Sequence, residues 1–263
     1  MGTKFSTRIW VSVVGIASIF FGSKGYADTV ISVADFGLKP DTRENAVAYV
    51  QKAIEACRGK EPVTLVFPEG RYDFWPQYAH EKNYYETNTY DVFPKRLAML
   101  FEGLHNITVD GNGSQFVMHD RIQPITVENC DGVTLKNFSI DWDIPLTAQA
   151  RVTKVGSDFF EIEINVLESP YIIEDGKLVF VGEGWKSALG SMIEFESDTH
   201  FVVPGTGDLV LGWNWGDYTA VSPRYGIVRL SRKGGFERYP AEGNWLVLRH
   251  STRDHAGIFI CIF

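Results

Sequence analysis

The sequence predicts an all-β protein, a parallel β-solenoid with an N-terminal capping helix and an inserted antiparallel barrel or sandwich. Three observations predict it. Met99–Gly111 and Pro124–Lys136 match one another at an offset of 26 residues (127 − 101): Phe101 meets Val127, Glu102 meets Glu128, Ile107 meets Val133, Thr108 meets Thr134 and Val109 meets Leu135. Each copy holds short apolar, β-branched runs around polar Gly/Asn/Asp corners. One such copy cannot bury its inward face, and stacking the next on it supplies main-chain partners about 4.8 Å away. Upstream, Asn45 to Cys57 is apolar at Val47, Val50, Ala53, Ile54 and Cys57, a helical spacing. Downstream of Pro145 the repeat stops, and short alternating runs follow with turns every 8 to 12 residues.

At the N-terminus, Lys4 and Arg8 precede the apolar run Ile9–Phe21, and Gly25-Tyr26-Ala27 ends in a small-x-small site. The pattern predicts a signal peptide over residues 1–27 and an exported protein, periplasmic or secreted. The run is too short to span a membrane. Cleavage removes Lys4, Arg8 and Lys24 and no acids, taking the net charge from −8 to −11 (−8 − 3). An acidic balance argues against nucleic-acid binding, which needs a basic footprint. Aromatic content of 14% together with carboxylates suits a sugar cleft, because pyranose faces are apolar and their rims hydroxyl-rich. Most aromatics in any chain nevertheless serve as core. Cys57, Cys130 and Cys261 are too few and too scattered for a disulfide framework or a metal site, and read as small buried hydrophobes.

Taken in order, Thr29–Asp35 reads as a first strand, followed by the helix, which Gly59 and Pro62 stop. Val63–Phe67 reads as a buried strand and Pro68-Glu69-Gly70 as a turn. Arg71–Arg96 has no clear period and reads as a long loop. Its Trp75, Tyr78, Tyr84, Tyr85 and Tyr90 favour a functional loop over a disordered one. The repeat copies follow, with Asp110-Gly111-Asn112-Gly113 as a turn within the first. The later strands fall at Ala148–Val155, Phe159–Val166, Lys177–Val181, Ser191–Glu196, Phe201–Val203, Asp208–Leu211, Tyr225–Ser231 and Trp245–Leu248. His255–Ile260 then reads as re-entry into the solenoid, with Ile258–Ile260 stacked on Ile125–Val127. The domains expected are 28–144, cap and first coils; 145–244, insertion; and 245–263, an incomplete re-entry that makes the chain look C-terminally truncated.

Two motif sets carry a family resemblance. Val33–Asp41, the helix ending in Ala53–Cys57, and Val66–Tyr72 follow one another as in the N-terminal cap of the pectin-lyase-like right-handed β-helices. The run R-Y-D-F with its aromatic loop, then Asn106–Phe116, then Val133–Asp143, is similar to glycoside hydrolase family 110, bacterial exo-acting α-1,3-galactosidases that act with inversion. The resemblance covers residues 30–145 and 244–260. It implies a right-handed helix with a β-barrel insertion, terminal α-galactosyl glycans as substrate, and no cofactor. It also implies catalytic aspartates farther along than Phe263, so that the catalytic pair is unknown here and the chain alone is expected to be inactive. A polygalacturonase or pectate lyase on the same scaffold is a second reading, disfavoured by the acidic charge and the lack of a calcium-binding cluster. A non-catalytic carbohydrate-binding solenoid is a third.

Within Phe138–Asp143, alternation sends Ile140 and Trp142 to one face and Asp141 and Asp143 to the other. Two residues along a strand is about 6.6 Å. An inverting pair needs roughly 6.5–9.5 Å. Asp141 and Asp143 are therefore catalytic candidates, and equally candidates for substrate hydrogen bonding or for a solvated corner. Arg253, Asp254 and His255, with Trp142, are the candidate substrate-binding residues, the first three against a surface-turn alternative. His119-Asp120-Arg121 closes the first copy as either a ligand contact or a hydrogen-bonded corner.

Overall fold

The computed structural model describes residues 29–84, 94–205 and 218–249, and the backbone of 260–262. The chain is all-β apart from one α-helix and a short 3-10 turn among these residues. It divides into two compact units, one holding the described residues up to Trp142 together with 260–262, the other running from Asp143 to Arg249.

In the first unit, β1 (Thr29–Ser32) pairs in parallel with β2 (Val63–Val66). β1 is shorter than expected, because Ser32 opens a capping box: its Oγ accepts from Ala34 N, while its own N–H donates to Asp35 Oδ2. That exchange turns Val33–Phe36 into a 3-10 turn. Helix α1 (Val47–Cys57) buries the predicted stripe Val47, Val50, Ala53, Ile54 and Cys57. The expected loop from Arg71 contains two strands, β3 (Arg71–Phe74) and β4 (His80–Lys82). β4 runs antiparallel to β5 (Lys95–Glu102), which pairs in parallel with β7 (Gln123–Glu128). β6 (His105–Met118) takes β2 and β3 on one edge and β8 (Asp131–Trp142) on the other, all in parallel.

All five register pairs read from the repeat are present, from Phe101↔Val127 to Val109↔Leu135. The offset then drops from 26 to 24: Asp110 faces Lys136, but Ser114 faces Phe138. The first copy spends two more residues on its corner, where Asn112 and Gly113 both take positive φ against Asn137 alone. The earlier corners match as well, Gly103 with Asn129 and Asn106 with Gly132, every one at positive φ. Glycine adopts that region freely and asparagine at low cost, which explains the composition of the corners. Inside, Phe67, Tyr72, Phe116 and Phe138 form an aromatic stack, with Phe116 and Phe138 at 4.8 and 4.9 Å from Phe67 and Phe116 respectively.

The second unit has a six-stranded antiparallel sheet and a three-stranded one. The strands are β9 (Thr147–Val155), β10 (Phe159–Ile164), β11 (Tyr171–Glu174), β12 (Lys177–Gly182), β13 (Trp185–Ala188), β14 (Ser191–Phe195), β15 (Tyr218–Arg224), β16 (Ile227–Arg232) and β17 (Trp245–Arg249). The larger sheet runs β14-β17-β9-β10-β16-β15, the smaller β11-β12-β13. β9 alternates buried Ala148, Ala150 and Val152 with exposed neighbours, the signature of a sheet with one wet face. Phe201–Val203 makes only an isolated bridge, Val202 to Phe195, and the predicted Asp208–Leu211 strand lies outside the described residues.

Returning to the first unit, β18 (Ile260–Ile262) lies in parallel on β7, with Ile260 opposite Ile125 and Ile262 opposite Val127. The register is two residues later than the expected Ile258–Ile260. A slip of two leaves the period-2 pattern of the sequence unchanged, so that pattern does not distinguish the two registers.

Candidate functional site

The third strands of the stack, β3, the end of β6 and the end of β8, lie side by side in register: Arg71, Gln115 and Ser139; Tyr72, Phe116 and Ile140; Asp73, Val117 and Asp141; Phe74, Met118 and Trp142. Alternation sends Tyr72, Phe74, Phe116, Met118, Ile140 and Trp142 against the core. Asp141 is exposed, and its Oδ1 accepts from Trp142 N at 2.8 Å. The Trp142 ring packs against the core, and its indole Nε1 donates to the carbonyl of Asp120 at 3.2 Å. β8 ends there, so strand spacing does not fix Asp143, which is exposed in a bend at the start of the second unit. Within that unit, Glu183 brings a carboxylate oxygen within 4.8 Å of Asp143. Arg253, Asp254 and His255 lie outside the described residues, as do Tyr85, Tyr90 and residues 1–27.

A cluster that sequence reasoning missed sits on the outward face of β3. Asp73 is 1% exposed and accepts from Arg71 Nε at 3.0 Å, Arg71 Nη2 at 2.5 Å and His119 Nε2 at 2.8 Å. Burial pushes the Asp73 carboxyl up, but the hydrogen bonds from Arg71 and His119 outweigh it and hold it below the usual carboxylate range. The carboxylate facing Nε2 assigns the proton to that nitrogen. His119, 3% exposed, stacks on Trp75 with ring centroids 3.7 Å apart and planes 13° apart. The Trp75 backbone is held by Asn45, whose Oδ1 accepts from Trp75 N at 3.2 Å and whose Nδ2 donates to Gln77 O at 2.8 Å. The same Oδ1 accepts from Val47 N, so one side chain both opens α1 and fixes the loop after β3. His119 thus takes the hydrogen-bonded-corner role for its side chain, and a signal was present only in the pairing of Asp73 with a histidine 46 residues away.

A second polar group lies on the β5–β7 sheet. Lys82 Nζ contacts Glu102 at 2.6 Å and Glu128 at 2.7 Å, and Tyr84 donates its hydroxyl to Glu128. Glu102 and Glu128 are the repeat-matched pair, directly opposite each other. Hydrogen bonds from Lys82, then from Tyr84, hold the Glu128 carboxyl below its ordinary value. Tyr84 is 9% exposed and packs with Leu97 and Leu100. Cys57 is a free, buried thiol pushed up to about 11 by burial, and Cys130 is free and half-buried. No helix of the described residues is long and apolar enough to cross a membrane.

A family model described as "GLAA-B beta-barrel domain I" matches residues 148–246, the strand-rich second unit. The chain is 59% identical, over 89% of its length, to a Bacteroides thetaiotaomicron protein named alpha-1,3-galactosidase B. It is 34% identical over 89% of its length to alpha-1,3-galactosidase A of Bacteroides fragilis, and 33% identical over 85% to alpha-1,3-galactosidase A of Shewanella woodyi. The chain belongs to the α-1,3-galactosidase family. It spans 38%, 38% and 36% of those three family members, well under half of each.

Proposed function

We propose that the chain forms part of an exported exo-α-1,3-galactosidase that removes terminal α-1,3-linked galactose from blood-group-B-type or linear glycans with inversion. The observation that carries this reading is the 59% identity, over 89% of the chain, to a protein named for that activity. The in-register parallel stack, with its matched positive-φ corners, supports a right-handed β-helix for residues 28–144 and 245–263, and the antiparallel strands support an inserted barrel over 145–244. Residues 1–27 are the export signal in this reading.

Inverting hydrolysis uses one carboxyl as acid and another as base, about 6.5–9.5 Å apart, and asks for no cofactor. Asp141 is accessible for such work or for binding a hydroxyl; Asp143 and Glu183 sit closer together than an inverting pair requires, which favours substrate contact or a structural role for Asp143. Trp142, Arg253, Asp254 and His255 complete the proposed substrate-binding set. The working acids belong to the part of the family's length that this chain does not span, so residues 28–263 alone release no galactose.

A chimera tests both halves of the proposal. The matched stretch of this chain replaces its counterpart in the Bacteroides thetaiotaomicron relative, and proton NMR follows hydrolysis of α-1,3-linked galactobiose. β-Galactose appears first if the mechanism inverts; α-galactose first overturns inversion. Galactose release by 28–263 alone overturns the assignment of the acids.

A further inference from the structure

Tyr78 occupies a backbone conformation that its side chain disfavours. The Ala79 N–H donates to Pro76 O at 3.0 Å, closing a turn in which Tyr78 takes φ of +70°. Glycine or asparagine is the usual occupant of that turn position, because a β-carbon there crowds the backbone. The ring is not repaid by burial, since Tyr78 is 63% exposed. The turn is nonetheless held from several sides. Gln51 of α1 donates to the Tyr78 carbonyl at 2.9 Å, Asn45 donates to the Gln77 carbonyl at 2.8 Å, and Trp75 is stacked on the buried His119. Gln77 and His80, both exposed, flank it with hydrogen-bonding groups.

A solvent-facing aromatic ring on a held turn, its backbone in a costly conformation and its flanks polar, has the chemistry of a pyranose contact. An axial 4-hydroxyl leaves C3–H, C4–H and C5–H of galactose on one side, an apolar face that an aromatic ring covers while an amide and an imidazole bind the rim hydroxyls. The chain's charge of −8 weighs against an anionic partner and not against a neutral sugar. We propose that Tyr78, with Gln77 and His80, is a glycan-contact platform on the first unit, and that Asn45, Gln51 and the Trp75–His119 stack are its positioning residues. The inference rests on the galactosidase reading for its choice of sugar.

The test uses the chain itself, with Tyr78→Gly and Tyr78→Phe variants, and titrates α-1,3-linked galactobiose by saturation-transfer NMR alongside a melting curve. Tyr78→Gly removes the ring and relieves the backbone, so its Tm is equal to or above that of the wild type while its Kd rises at least tenfold. Tyr78→Phe keeps the ring and stays within about threefold. A Kd for Tyr78→Gly within twofold of wild type, or a wild-type chain that does not bind the disaccharide, overturns the proposal. Hydrolysis by the chimera is scored separately: an active chimera beside an unaffected Tyr78→Gly sinks the platform and leaves the functional reading standing, and an inert chimera beside a Tyr78→Gly chain that has lost binding does the reverse.

Discussion

Glu102 and Glu128 face each other across the parallel β5–β7 ladder, and one ammonium, Lys82 Nζ, sits 2.6 and 2.7 Å from the two carboxylates. Like charges directly opposite one another destabilise a sheet, so Lys82 converts a liability into a clasp that ties β4 to both repeats. Lys82 is 30% and Glu102 47% exposed, and solvent screens the attraction. Lys82→Met is therefore expected to cost only about 1 kcal/mol by urea denaturation, and less in 1 M salt. A loss that is insensitive to salt contradicts the clasp.

Asp73 is a larger stake. Asp73→Asn leaves Arg71 and His119 facing a neutral amide in a site that water barely reaches. Breaking a buried pair from one side costs roughly 3–5 kcal/mol, and the first unit is expected to lose about that much. The sign of the pH dependence follows from the depressed carboxyl. Its stabilisation is complete above the unfolded carboxylate pKa and is lost as pH falls through the lower folded one. Acid melts of the wild type should steepen there and those of Asp73→Asn should not.

Gly111 reports on how closely the repeats stack. A β-carbon there would lie 2.5 Å from Phe138 Cβ and 2.7 Å from Asn137 O, the second a backbone atom that cannot swing away. Gly111→Ala is expected to destabilise by about 1–3 kcal/mol. Gly113→Asn, where φ is +83° and nothing lies within 4 Å, should stay within about 0.5 kcal/mol. Equal effects at the two sites contradict the stacking described.

Cys57 should resist alkylation in the folded chain. Its thiol is fully buried and pushed up to about 11, so little thiolate is present at pH 8. Iodoacetamide followed by peptide mass spectrometry is expected to label it only after denaturation; rapid native labelling contradicts its burial.

Much of this fold is legible in the sequence because its register is written in matched side chains. Phe101 over Val127 and Thr108 over Thr134 identify the stacked pairs directly. The change of offset at Asp110 is not legible, since Asn112-Gly113 and Asn137 are equally good corners and only the ladder shows that one is longer. β3 is hidden for a different reason. In Arg71–Phe74 a carboxylate is buried, and a charged residue reads as exposed until its partner 46 residues away is known. β15 contains Pro223, which demotes a strand reading, although an edge position in the sheet tolerates it. At the site, alternation predicts the faces of Ile140, Asp141 and Trp142, and stops predicting at Asp143 because the strand stops first. Tyr78 is legible only as one of five aromatics in a functional loop: neither its positive φ nor its exposure follows from the residues around it.

If this chain supplies a working portion of an α-1,3-galactosidase, as proposed, it restores activity when it replaces its counterpart in a relative. The most direct measurement is galactose release from α-1,3-linked galactobiose by the chimera, timed against the Bacteroides thetaiotaomicron parent under the same conditions. A rate within about tenfold of the parent is expected, a barrier difference of roughly 1.4 kcal/mol or less. A folded chimera that releases no galactose, beside an active parent, contradicts it.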